Sequence, residues 1–154
     1  MDGKEYLTKE KFEELTAELN NLKTVRRKEV AENLEYAKSL GDLFENAEYH
    51  EAREQQVHIE ERIAKIESIL QSAVIVESHH SDMVEVGTTV VVQKEGDTEK
   101  RSFEIVSPEE ADVLLGKISY RAPLGDAMLG KKKGDNFTFE SPNGMMKYIV
   151  VEVK

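Results

Sequence analysis

A helical seam in the middle of the chain limits what this sequence can fold into more than any other feature. Side chains that are apolar, apart from one glutamine, recur at steps of four, three, four, three and four residues, at Ala52, Gln56, Ile59, Ile63, Ile66 and Leu70. This spacing is typical of the buried seam of a coiled coil. A second stretch steps similarly from Phe12 to Leu22, and then continues with a slipped register through Val25, Val30, Leu34 and Ala37. The sequence therefore predicts two long helices.

The break between the two stretches is short and contains a glycine, Gly41, that lies midway between seams of matching length. A tight break of this kind favours an antiparallel helical hairpin over residues 1–72. Helices of about 30 residues would make an arm roughly 45 Å long. A coiled coil between two copies of the chain would bury the same seams, but the central glycine favours the hairpin.

The composition changes near residue 73, after which all three prolines and most of the glycines are found. Strands are predicted at 84–86, 88–93, 101–106, 136–140 and 145–153, with a short helix at 123–129. Turn residues at 94–97 and 141–144 predict hairpins between strands. We therefore expect a small α+β domain with an antiparallel sheet over 84–154. A linker over 73–83, with His79 and His80 in solvent, would join it to the hairpin.

The chain is acidic, with a formal net charge of −10 over 154 residues. Proteins that bind free DNA or RNA are usually basic, because they neutralise phosphates. This chain should therefore bind bare nucleic acid poorly and reach any such target through protein contacts. It has no cysteine, which excludes disulfides and thiolate sites and fits the cytoplasm. No apolar run exceeds four residues, so no membrane partner is expected.

Acidic residues crowd the predicted tip of the hairpin, within residues 41–48. Asp42 and Glu45 are three residues apart, so their carboxylates can converge on one side of a helix start. Such a pattern commonly caps a helix. The same carboxylates are also hard ligands suited to Mg²⁺. Because Mg²⁺ takes six oxygens, an exposed pair would have to share the ion with other ligands, which favours a donor to another protein's active site over a metalloenzyme.

Basic residues lie behind the tip. Arg26, Arg27 and Lys28 are consecutive in the first helix, and Lys38 and Arg53 lie nearer the tip. They can form ion pairs along a solvated helix face, or a patch that follows phosphates towards the acids. The sequence leaves both possibilities open.

The tip segment, from Gly41-Asp42-Leu43-Phe44-Glu45-Asn46 through Gln56, closely resembles the tip of the bacterial Gre transcript cleavage factors. Further similarity lies at Tyr6-Leu7-Thr8, Arg26-Arg27, Ile118-Ser119 and Leu129-Gly130-Lys131. The resemblance covers essentially the whole chain, and the sparse basic residues fit the GreA-like branch of the family.

This resemblance implies that the hairpin enters the secondary channel of RNA polymerase. The C-terminal domain, FKBP-like in fold, would dock on the channel rim through Pro123, Leu124 and Gly125. Asp42 and Glu45 would help to hold a second Mg²⁺, shared with the polymerase active site.

The polymerase would then cleave backtracked nascent RNA, so the protein itself would not be the enzyme. Lys38 and Arg53 match positions that contact the RNA 3′ end, and a cytoplasmic monomer is expected.

The sequence departs from the family at two positions. Phe44 replaces the usual polar residue between the two acids, and Ala122 stands where the family often has serine. One alternative function is an inhibitory channel binder without cleavage stimulation, which the intact Asp42 and Glu45 argue against. Another is a prolyl isomerase, which the C-terminal aromatic residues argue against because they alternate with polar residues as core residues do.

Overall fold

The computed structural model describes residues 3–42 and 45–154, which form two compact units. One unit is Glu10–Ala73, and the other joins the described residues up to Lys9 with Val74–Lys154. The helical unit therefore begins later than the predicted domain 1–72, and the other unit begins earlier than the predicted domain 84–154 and also includes the N-terminal residues. The N-terminal residues join the second unit because strand β1 (Glu5–Leu7) pairs with strand β2 (Ala73–Ile75).

The Glu10–Ala73 unit confirms the predicted helical hairpin. Its first arm contains α1 (Lys9–Asn21), a π-helical turn (Leu22–Arg26) and α2 (Arg27–Ser39), and its second arm is α3 (Ala47–Gln71). Helices α2 and α3 bury a common apolar cluster, made by Val30, Leu34, Ala52, Ile59 and Ile63. These are seam residues from both predicted stretches, so the two seams face each other within one chain.

The π-helical turn explains the slipped register of the first seam. A π turn spaces its hydrogen bonds five residues apart, and thereby rotates the apolar stripe relative to an α-helix. Val25 lies within this turn and is 44% exposed, whereas Val30 is buried again. The slip is therefore a structural feature of the first arm.

The second unit is built on a five-stranded sheet in the order β5-β4-β3-β7-β6. Its strands are β3 (Thr89–Lys94), β4 (Lys100–Val106), β5 (Lys117–Ser119), β6 (Asn136–Ser141) and β7 (Gly144–Val153). A short helix, α4 (Pro123–Met128), lies between β5 and β6. The predicted antiparallel sheet is confirmed for β3, β4, β6 and β7, and the short edge strand β5 adds to it by pairing in parallel with β4.

The core of this unit contains the aromatic residues that the sequence predicted to be core. Tyr120 and Phe137 are buried, and Phe103, Phe139 and Tyr148 pack against them. The strand predicted at 84–86 is wrong, because these residues form an irregular turn beside an isolated bridge from Met83 to Lys132.

The predicted linker is more ordered than expected. Residues 73–75 form β2, and the Val76 amide donates to the Leu7 carbonyl at 2.7 Å. The His79 ring lies 3.0 Å from the Glu77 carbonyl oxygen and 2.5 Å from the Glu85 carboxylate. These two hydrogen bonds raise the pKa of His79, so this residue is not a simple solvated side chain.

Candidate functional site

The hairpin tip is held by one side chain that joins the ends of both helices. The α2 helix ends at Ser39, and the chain then turns through Gly41, whose φ of +128° favours glycine. Asn46 precedes α3 and its side-chain oxygen accepts a hydrogen bond from the Tyr49 amide at 3.0 Å. Its side-chain nitrogen donates to the Ala37 carbonyl at 2.5 Å. Asn46 therefore caps α3 and adds a second hydrogen bond to the Ala37 carbonyl, which also accepts from the Leu40 amide at 3.1 Å.

This geometry tests one of the two hypotheses for the acidic pair, namely that it caps a helix. The N-cap of α3 is Asn46, so Asp42 and Glu45 both precede the helix and the proposed Asp-x-x-Glu capping box is wrong. Both acidic side chains are exposed at the tip. Asparagine is among the preferred N-cap residues, so the side-chain chemistry of Asn46 is the sequence signal for this cap. Leu43 and Phe44 lie outside the described residues.

Removing the Asn46 side chain should loosen the hairpin tip. We expect Asn46→Ala to lower the free energy of unfolding of the hairpin by about 1–2 kcal/mol, since a lost cap alone costs about 1 kcal/mol. Thermal unfolding followed by circular dichroism measures the change. Asn46→Asp keeps the acceptor for the Tyr49 amide and loses the donor to Ala37. Its melting temperature should therefore lie between those of the wild type and Asn46→Ala. An unchanged melting temperature for Asn46→Ala would contradict this role.

Lys38 and Arg53, the predicted RNA contacts, project from the same side of the hairpin. Arg27 of α2 and Glu60 of α3 lie on that side, where the Arg27 guanidinium bridges the two helices through two hydrogen bonds of 2.8 Å to the Glu60 carboxylate. Lys38 follows Arg27 by about three full helical turns, and Arg53 precedes Glu60 by about two. Both cations are exposed, and Arg53 donates to the Gln56 side chain at 2.6 Å. Helical geometry thus brings the two cations to one face behind the acids.

The arginines further from the tip are used within the hairpin. Arg26 pairs with Glu29 at 2.5 Å, and Arg27 pairs with Glu60. The Arg27 hydrogen bonds lower the pKa of the Glu60 carboxyl. The ion-pair interpretation is therefore confirmed for these two residues.

The predicted polymerase contacts at 123–125 are only partly accessible. Pro123 is exposed, whereas Leu124 packs against the core and Gly125 is buried. A Cβ on Gly125 would lie 2.0 Å from the Ser119 carbonyl oxygen, so this glycine is needed for α4 to approach β5. Leu124 and Gly125 thus have structural roles, while Pro123 exposes its side chain and Leu124 exposes part of its own.

Two absences are relevant within residues 3–42 and 45–154. No group of three or more His, Cys, Asp or Glu side chains there is arranged to hold a metal ion. None of the helices in those ranges is both long and apolar enough to span a bilayer.

A helical hairpin with an acidic tip, followed by a small sheet domain, is the arrangement found in one class of transcription factor. Family models match both parts of the chain, namely "Transcription elongation factor, N-terminal" at residues 5–75 and "Transcription elongation factor, GreA/GreB, C-term" at 78–154. The chain therefore belongs to the GreA/GreB family of transcription elongation factors.

Individual relatives agree with this assignment. The chain is 45% identical to transcription elongation factor GreA of Macrococcus caseolyticus, over 97% of each chain. It is 41% identical to GreA of Clostridioides difficile, over 99% of this chain and 98% of that one. Among solved structures, Gfh1 of Thermus thermophilus is 31% identical, covers 98% of this chain and 99% of its own, and superposes with a TM-score of 0.45. That superposition is too loose to add to the assignment, which rests on the sequence matches.

Proposed function

We propose that this elongation factor binds RNA polymerase, inserts its hairpin into the secondary channel and stimulates the polymerase's own cleavage of backtracked RNA. The observation that supports this most is the exposed acidic pair. Asp42 and Glu45 lie between the helix ends, and the cap of α3 is supplied by Asn46. Their carboxylates are therefore not needed for the helix start and are presented at the end of the arm.

The donor chemistry of the pair fits Mg²⁺, because this ion prefers carboxylate oxygens. Asp42 and Glu45 would hold the ion jointly with oxygen ligands from the polymerase, the RNA and water. A second metal ion in such a site stabilises charge on the attacking and leaving oxygens of a phosphodiester. The residues of this chain would position the shared ion, and the polymerase would remain the nuclease.

Lys38 and Arg53 would hold the extruded RNA. Both are exposed on the face behind the acids, and arginine binds phosphate through paired hydrogen bonds. In this arrangement the cations retain the displaced 3′ segment while the acids act at the scissile bond.

Stalled elongation complexes with labelled RNA 3′ ends test the proposal. Adding the protein should release short labelled fragments, and the protein with RNA alone should release none. Slower elongation without released fragments would instead identify an inhibitory channel binder.

Reversing the charge of Arg53 should weaken cleavage without loss of polymerase binding. We expect Arg53→Glu to slow cleavage about tenfold, because a phosphate contact becomes a repulsion worth on the order of 1 kcal/mol. Lys65→Glu makes the same change of charge about 18 Å further along α3 and serves as the matched control. Equal losses of cleavage and of binding in Arg53→Glu would show that Arg53 docks the hairpin instead of holding RNA.

A further inference from the structure

Three consecutive aliphatic side chains project from the second unit into solvent. They belong to a 3₁₀ turn, Val113–Leu115, that precedes β5. Val113 is 77% exposed, Leu114 97% and Leu115 71%. Single exposed apolar residues are ordinary, but a contiguous group marks an interaction surface.

The turn is held in shape without help from these side chains. Asp112 and Lys117 exchange two backbone hydrogen bonds of 2.9 Å across its base. The Asp112 carboxylate accepts from the Leu114 amide at 3.1 Å, and Gly116 closes the turn with φ of +72°. Since backbone and polar contacts define the turn, its aliphatic side chains are preorganised for a contact outside the chain, which lowers the entropy cost of binding.

The turn is close in sequence to Pro123, the exposed residue of the predicted docking segment. It precedes the edge strand β5, while Pro123 begins α4 shortly after the same strand. Strand β5 has three residues, so about 10 Å of extended chain separates its two ends. An ordinary protein interface covers about 800 Å² on each partner, which is large enough to include both the turn and Pro123.

We propose that the Val113–Leu115 turn is the main apolar contact by which the second unit docks on RNA polymerase. This rests on the proposed function for the identity of the partner. Gly125 is buried and Leu124 is only partly exposed, so the 123–125 segment offers little apolar area by itself. Residues 113–116 carry no charge, so the partner surface is an apolar hollow and the contact is insensitive to salt.

Binding of the full-length protein to core RNA polymerase, measured by fluorescence anisotropy, tests this docking surface. We expect Leu114→Asn to weaken binding about tenfold or more, since buried aliphatic anchors dominate such interfaces. The loss should be similar at low and high salt. Met145→Asn is the matched control, because Met145 is 62% exposed on β7 and is not part of the turn. Both variants should unfold at the wild-type temperature, and saturating Leu114→Asn protein should still stimulate cleavage fully.

Equal affinities for Leu114→Asn and wild type would overturn the proposal, as would an equal loss in Met145→Asn. Sedimentation that shows a wild-type dimer broken by Leu114→Asn, with polymerase binding unchanged, would also overturn it and assign the turn to a second copy of the chain. The binding assay is independent of cleavage. Sensitivity to Leu114→Asn without any stimulated cleavage by the wild type would leave the docking surface standing and refute the proposed cleavage function.

Discussion

Replacing Asp42 with asparagine should reduce stimulated RNA cleavage about a hundredfold or more. The change removes a negative charge and a metal-binding oxygen but keeps the size of the side chain. Electrostatic groups aimed at a reacting centre typically contribute about 10²–10³ in rate. Because the α3 cap is Asn46, the hairpin should keep its melting temperature, and the docking unit should keep its affinity for polymerase. Cleavage of stalled complexes, measured at saturating protein, reports the loss.

Two further variants make the Asp42 result specific. Glu45→Gln should cause a similar loss, since it removes the other carboxylate of the pair. Glu54→Gln removes an exposed acid of α3 that helical rotation and distance keep away from Asp42, and it should cleave like the wild type. Cleavage near the wild-type rate in Asp42→Asn would contradict the proposed metal ligand, and an equal loss in Glu54→Gln would point to a general effect of charge.

Adding a methyl group at Gly125 should destabilise the second unit severely. The new Cβ would lie 2.0 Å from the Ser119 carbonyl oxygen and 2.9 Å from its carbon. These are backbone atoms of β5 and its surroundings, so relief requires α4 to move away from the sheet. Overpacking typically costs about 1–3 kcal/mol where side chains can adjust, and we expect at least about 3 kcal/mol here. Urea unfolding of the full-length Gly125→Ala protein measures the change.

Gly130→Ala is the control for Gly125→Ala. Gly130 has φ of +80° and open space where a Cβ would be, so it tests backbone strain alone, which costs about 1–2 kcal/mol. A larger loss at Gly125 than at Gly130 supports steric exclusion between α4 and β5. Equal losses would mean that the close approach at Gly125 is not what makes glycine necessary.

The hairpin could be predicted because its information is local. A seam such as Ile59, Ile63 and Ile66 follows directly from helical periodicity, and these residues are buried as expected. The irregular step near Val25 was visible as a slipped register. Its cause, a π-helical turn, could not be predicted, because the same slip can arise from other changes in helix geometry.

The parts of the fold that could not be predicted depend on contacts between residues far apart in the sequence. The three residues of β5 are too few to show a period, and they form a strand only because β4 lies beside them. Likewise, Glu5–Leu7 leaves the hairpin because it pairs with β2, which lies far along the sequence. Tyr120 also donates to the Lys4 carbonyl at 3.3 Å. No local pattern near the N-terminus reports these contacts.

The candidate site, too, could be predicted only in part from the sequence. Side-chain chemistry indicated Asp42, Glu45, Lys38 and Arg53, and the structure shows all four exposed. Accessibility at 123–125 could not be predicted, because it depends on how α4 packs on the sheet. Exposure of the aliphatic turn at 113–115 could not be predicted, because three adjacent apolar residues in a sequence usually indicate burial.

A Mg²⁺ titration of RNA cleavage tests the shared metal site most directly. Polymerase alone, polymerase with wild-type protein and polymerase with Asp42→Asn are compared at saturating protein. If Asp42 helps to hold the ion, wild-type protein lowers the Mg²⁺ concentration needed for half-maximal cleavage, and Asp42→Asn returns it to the value for polymerase alone. A lower maximal rate in Asp42→Asn, with the half-maximal Mg²⁺ concentration the same as for the wild type, would contradict metal binding by Asp42.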